Sequence, residues 1–171
     1  MIRVNFGAMN IQLYNPFRKF DFSPHTCFLT GQEVHSEEES FVFPEWILDR
    51  YSLRDKTFKV LDESSVQYQH IKVPCAPEVI ENAINPLEEE IEKAFSAGFD
   101  AVIKLPEERL FQWMAKLMYG VVYNDMRIEG EKSTAKGNEF KLSEFLQDRF
   151  EKLHLILQSL VVPMDFEGPK P

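Results

Sequence analysis

The sequence predicts an α+β fold in which a small strand-bearing half precedes a bundle of about three helices. Two observations carry this. Up to about residue 80 the apolar residues come in short runs, broken by Asn15-Pro16, Ser23-Pro24, Gly31, Pro44 and Pro74; that punctuation suits strands of a few residues between turns. Beyond it, Asn85-Pro86 and Pro106 open longer stretches with apolar residues three and four apart, the mark of helices with one buried face. Strands segregated from helices along the chain define α+β organisation. A single domain is expected over residues 1–171, with an α+β part at 1–80, a helical part at 81–163 and a tail at 164–171.

In order, Met1 to Phe17 alternates loosely (Ile2, Val4, Phe6, then Ile11 and Leu13) and predicts a short hairpin or two edge strands. Cys27-Phe28-Leu29-Thr30-Gly31 has the form of a tight knuckle whose glycine permits a positive φ. Gln32 to Ser40 is an acidic loop with Glu37-Glu38-Glu39 at its tip, and Phe41 to Phe43 a short strand. Pro44 to about Tyr51 is a short helix with Pro44 at the first position, Glu45 in the first turn, and Trp46, Ile47 and Leu48 on its buried side. Thr57 to Leu61 and Tyr68 to Val73 are further strands, ending at the turn Pro74-Cys75-Ala76-Pro77.

The next helix takes Asn85 as N-cap and Pro86 as first residue, has Glu88, Glu89 and Glu90 near the positive end of its dipole, turns Leu87, Ile91, Phe95 and Phe99 inwards, and stops at Gly98. Pro106 opens a second, with Leu110, Phe111, Met114, Leu117, Met118 and Val121 as its apolar face. Arg127 to Glu139, polar and containing Gly130 and Gly137, reads as a mobile loop. A last helix spans Leu142 to Leu160 with Leu142, Phe145, Leu146, Leu153, Ile156, Leu157 and Leu160 inwards, and Val161 to Pro171 is a tail.

Composition narrows the function classes. The net charge of -9, from 28 acidic and 19 basic residues, repels polyanions and shows no basic stripe, so nucleic acid is not an expected partner. No apolar run approaches the ~20 residues a membrane helix needs. Two distant cysteines, Cys27 and Cys75, and no signal-like N-terminus suggest a reduced, cytoplasmic protein that folds without disulfide or metal. The Phe content, 15 residues, reads as core. No Gly-rich phosphate loop, nucleophile elbow or His-Glu-x-x-His helix is present, and Glu88, Glu89, Glu90 and Glu92 read as a solvated helix face.

The knuckle with Cys27, Thr30 and Gly31, the step Val42-Phe43-Pro44-x-Trp46, the corner Pro74-Cys75 and the helix start Leu87-Glu88, taken in order, resemble one branch of the HNH endonuclease superfamily. There the pattern reads Cys-x-x-Cys-Gly, Glu-His-Val-Phe-Pro-x-Trp-Leu, Pro-x-Cys-x-x-Cys-Asn, then a helix with Leu-Glu near its start. The resemblance spans about Cys27 to Phe95 and implies a treble-clef or ββα element, zinc held by two knuckles, and a strand histidine that activates water beside a divalent ion. This chain departs from the pattern at the chemistry. Thr30 stands at the second thiolate position, Ser40 and Phe41 stand where the Glu-His pair falls, no second Cys-x-x-Cys surrounds Cys75, and Asn82 is only a loose match for the asparagine. Phenylalanine accepts no proton.

No catalytic residue and no cofactor are therefore expected. Packing of Cys27, Phe28, Leu29, Phe41, Phe43 and Trp46 replaces the metal, with Phe41 as a core residue; Met114, Met118 and Trp113 offer material for a partner surface. The expected function is a non-catalytic HNH-like interaction or scaffold module with a protein partner. Three alternatives stand beside it: a rearranged zinc site in which Cys27 and Cys75 meet and His25, His35 or His70 completes the set; a metal-dependent nuclease with catalytic residues moved to those histidines and Glu38 or Glu39; and an acidic polyanion mimic. Oligomeric state is not encoded in any motif.

Overall fold

The structure, a computed structural model, describes residues 3–5, 13–18, 20, 22–60, 63–135, 142–162 and 165–167. The fold is α+β. Strands β1 (Arg3–Asn5), β2 (Glu39–Phe41), β3 (Thr57–Lys59), β4 (Ser65–Gln67), β5 (Lys72–Pro74) and β6 (Asp165–Glu167) form three antiparallel pairs, β1–β6, β2–β5 and β3–β4. Helices are α1 (Glu45–Arg50), α2 (Pro77–Val79), α3 (Asn85–Ala97), α4 (Phe99–Val102), α5 (Glu107–Ala135) and α6 (Glu144–Gln158).

The strand half departs from expectation in register. β1 pairs with β6, Val4 opposite Phe166, so the first strand finds its partner in the predicted tail rather than in a local hairpin; residues 6–12 lie outside the described set. The acidic stretch supplies the strand: β2 is Glu39–Phe41, pairing Ser40 with Val73, and Phe41 to Phe43 as predicted overlaps it by one residue. Pro44 caps α1 from extended backbone instead of starting it. Tyr68–His70 is a 3₁₀ turn, and β4, which no alternation announced, pairs Val66 with Phe58.

The helical run that contains α3 begins earlier than Asn85. α2 runs without a break into a π segment, Ile80–Ile84, and then into α3, so Asn85 is an interior residue and not a cap. Gly98 ends α3 at φ 101°, as its placement predicted, but Phe99 turns out on α4 and is 76% exposed.

α5 continues through most of the predicted Arg127–Glu139 loop; residues 136–141 lie outside the described set. Extending a formed helix by one residue is cheap beside starting a new one. Ladder pairs support the end, with Arg127 to Glu131 at 3.2 Å and Lys132 to Glu129 at 3.3 Å. The buried face of α5 is also not the predicted one. Trp113, Ala115, Lys116, Tyr119, Tyr123 and Met126 face the core, whereas Phe111, Met114 and Met118 are exposed. Apolar residues occur all round this helix, so spacing alone does not choose its inner face.

α6 is capped by Ser143, whose hydroxyl accepts from Leu146 N–H at 3.4 Å. Leu157 is fully buried, while Phe145 and Leu146, expected inside, are exposed, with the Arg149 guanidinium over the Phe145 ring. The main core joins knuckle, β5, α2, α5 and α6 through Phe28, Leu29, Val42, Ile71, Val73, Tyr119, Tyr123 and Leu157. A smaller one joins α1, α3 and α5 through Ile47, Leu87, Ile91 and Trp113. At Gly120, α5 lies so close to β2's end that a methyl group would stand 2.7 Å from Val42 Cγ2.

Candidate functional site

The knuckle folds as its sequence implies. Gly31 takes φ 75°, its N–H donates to Cys27 O at 2.9 Å, and Cys27 N–H donates to Gln32 O at 2.8 Å. The turn docks on the end of β5 through Phe28 N–H to Pro74 O, 2.8 Å, while Cys75 N–H is held by Glu38 O at 2.9 Å. Cys27 and Cys75 thus stand on adjoining backbone as free thiols, both without solvent exposure. Cys75 Sγ lies 3.8 Å from Ala76 O; hydrogen bonding from the Cys75 thiol, opposed by burial and aided by the Thr30 hydroxyl, pulls Cys27 down to about 5. The same hydrogen bonding to Cys27, followed by burial, pushes Cys75 upwards. A sulfur that receives a hydrogen bond sheds its proton more readily than one that gives it.

The histidines do not join them. His25, His35 and His70 are all exposed, and among the described residues no three His, Cys, Asp or Glu side chains converge as a metal cage. The fourth histidine, His154 of α6, is buried with its Nε2 3.1 Å from Phe28 O and its ring stacked on Tyr119.

A cleft of about 550 Å³ opens beside β2, lined by Ser40, Phe41, Pro44, Trp46, Ile80, Ile84, Lys116 and the acidic residues Glu39, Glu45, Asp49, Glu88, Glu89 and Glu92. Several of the motif positions, Ser40, Phe41, Pro44 and Trp46, come together in its wall. Ser40 is buried, while Phe41 is 45% exposed and not a core residue. Strand alternation explains this: Ser40 pairs with Val73 facing inwards, so Phe41 faces out and takes Lys72 on its ring, 4.7 Å from the centroid.

At the cleft floor lies an ion pair that the sequence reading missed. Lys116 Nζ donates to Glu88 Oε1 at 2.7 Å, to Phe41 O at 2.9 Å and to Val42 O at 2.8 Å. Glu88 Oε2 in turn accepts from Trp113 Nε1 at 3.0 Å and Trp46 Nε1 at 3.4 Å, and the two indoles stack 5.8 Å apart. Burial lowers the lysine's pKa, partly countered by Glu88. Both charges are matched by geometry, which a buried pair requires.

Glu88 is thus not part of a solvated face. A signal for it was present: Ile84, Glu88, Ile91 and Phe95 recur at three- and four-residue steps, which places the carboxylate on the helix's inner stripe. The π segment passes along the cleft and presents Ile80 and Ile84 to it; such segments interrupt helices mostly where a site needs a local change of phase.

Comparison with family models, curated proteins and solved structures finds no match to this chain. Among the described residues no helix is long and apolar enough to cross a membrane.

Proposed function

We propose that this chain is a non-catalytic, HNH-like interaction module whose cleft receives a cationic side chain of a protein partner. The observation that supports it most is the cleft's balance of groups. Its single lysine is neutralised by Glu88 and by two carbonyls, while among the described residues no cation stands at ion-pairing distance from Glu45, Glu89 or Glu92. Carboxylates around Phe41 and Trp46 suit a guanidinium or ammonium group, which gains from charge-assisted hydrogen bonds. A phosphodiester entering the same cleft meets repulsion.

Support for the relocated nuclease is weaker. Ser40 and Phe41 offer no base at the cleft, and His25, His35 and His70 lie exposed on the surface.

Isothermal titration with a short Lys/Arg-rich peptide tests the reading. Binding is expected at low ionic strength, weakened by salt, and reduced about tenfold or more by joint Glu89→Lys and Glu92→Lys, both on an exposed helix face. Failure of the peptide to bind, or cleavage of plasmid DNA dependent on magnesium or manganese, would overturn it.

A further inference from the structure

We propose that Cys27 and Cys75 are a modification site, a dithiol that a peroxide converts reversibly into an intrachain disulfide. The proposal is independent of what the cleft binds and rests on how the two sulfurs are delivered. Each comes from backbone fixed by hydrogen bonds: Cys27 from the knuckle closed by Gly31 N–H and Gln32 O, Cys75 from the end of β5 held by Glu38 O. The bond from Phe28 N–H to Pro74 O ties the two segments together one residue from each cysteine. That tie sets the two buried thiols on adjoining backbone.

Their surroundings favour a covalent pair. Two sulfurs without a third ligand among the described residues do not complete a tetrahedral ion. The knuckle that carries Cys27 reaches the surface, since Thr30 and Gly31 are half-buried and Gln32 is exposed. Hydrogen peroxide, not much larger than water, needs only a brief opening of that turn.

The chemistry balances with one peroxide. Cys27 Sγ attacks a peroxide oxygen and the O–O bond breaks; the leaving hydroxide takes the Cys27 proton as water, and Cys27 is left as a sulfenic acid. Cys75 Sγ then attacks the Cys27 sulfur, the S–O bond breaks, and hydroxide leaves with the Cys75 proton as a second water. Two thiols lose two electrons in total, and one peroxide gains them.

The test treats reduced, reductant-free protein with an equivalent of hydrogen peroxide, followed by alkylation, intact mass and non-reducing peptide mapping. The expected product is a monomer lighter by two hydrogens, with Cys27 joined to Cys75, reversible by dithiothreitol. Closing a loop of about fifty residues should also raise Tm by about 5–10 °C. In Cys75→Ser, checked for native circular dichroism, the sulfenic acid on Cys27 should persist and be captured by dimedone. The proposal is overturned if both thiols of the treated wild type alkylate on unfolding, if the disulfide joins two chains, if Cys27 goes on to sulfinic acid beside a free Cys75, or if the purified protein carries stoichiometric zinc.

Discussion

Replacing Glu88 by Gln isolates the buried ion pair from everything else in the cleft. The substitution keeps the shape and one carbonyl oxygen, so the Trp46 and Trp113 indoles retain an acceptor, but it leaves Lys116 with no counter-charge. The Lys116 side chain is only 2% exposed and that of Glu88 12%, so water cannot stand in for the carboxylate. Removing one member of such a pair costs about 3–5 kcal/mol. The lower end applies, because Lys116 keeps Phe41 O and Val42 O at 2.9 and 2.8 Å. A loss of about 3 kcal/mol should move the midpoint of urea unfolding down by about 1.5 M. The double variant with Lys116→Met removes both charges and refills the stem, so it should recover at least about 1 kcal/mol of the summed single losses. A Glu88→Gln shift below about 0.5 kcal/mol, or strict additivity in the double variant, would refute the argument that this pair is buried and mutually dependent.

Two more predictions follow from the core. Burial holds His154 down to about 4, against Phe28 and Leu29 carbonyls that favour its protonation. The unfolded chain, with an imidazole near 6.5, therefore takes up the proton first. Stability present above that value is lost as pH falls from 6.5 towards 4, by about 3 kcal/mol in all. Denaturant titrations at stepped pH should show this slope in the wild type and a shallower one in His154→Gln. At Gly120, substitution by Ala drives a methyl against Val42 Cγ2 and should cost about 1–3 kcal/mol, with Val42→Ala in the same chain restoring part of it; equal thermal melts for wild type and Gly120→Ala would show that α5 can step back from the strand.

The parts legible in the sequence are those set by local chemistry. Gly31 announced the positive φ of its turn, and Gly98 the end of α3. What escaped was decided by partners far along the chain. β1 needs Asp165–Glu167 to be a strand, and no pattern within residues 1–17 says so. The inner face of α5 depends on what Trp113, Lys116 and Tyr119 touch, because Met114 and Met118 are equally apolar. Lys116 illustrates the limit most clearly: a lysine in an apolar helix reads as solvent-facing, and only the carbonyls of Phe41 and Val42 and the carboxylate of Glu88 make its burial possible.

The reach of α5 bears on when the chain can fold. Its Tyr123 hydroxyl bonds to Ser23 O and Thr26 O ahead of the knuckle, Lys116 to the last carbonyls around β2, and Gln112 to Ser159 at the end of α6. On the ribosome the strand half emerges many residues before α5, and in that interval its Phe41 and Val42 carbonyls have only water to bond. The first half is thus completed by the second, and synthesis from the N-terminus gives it no head start. A nascent chain halted ahead of Glu107 would hold the knuckle sequence without its supporting helix, open to proteases until translation resumes.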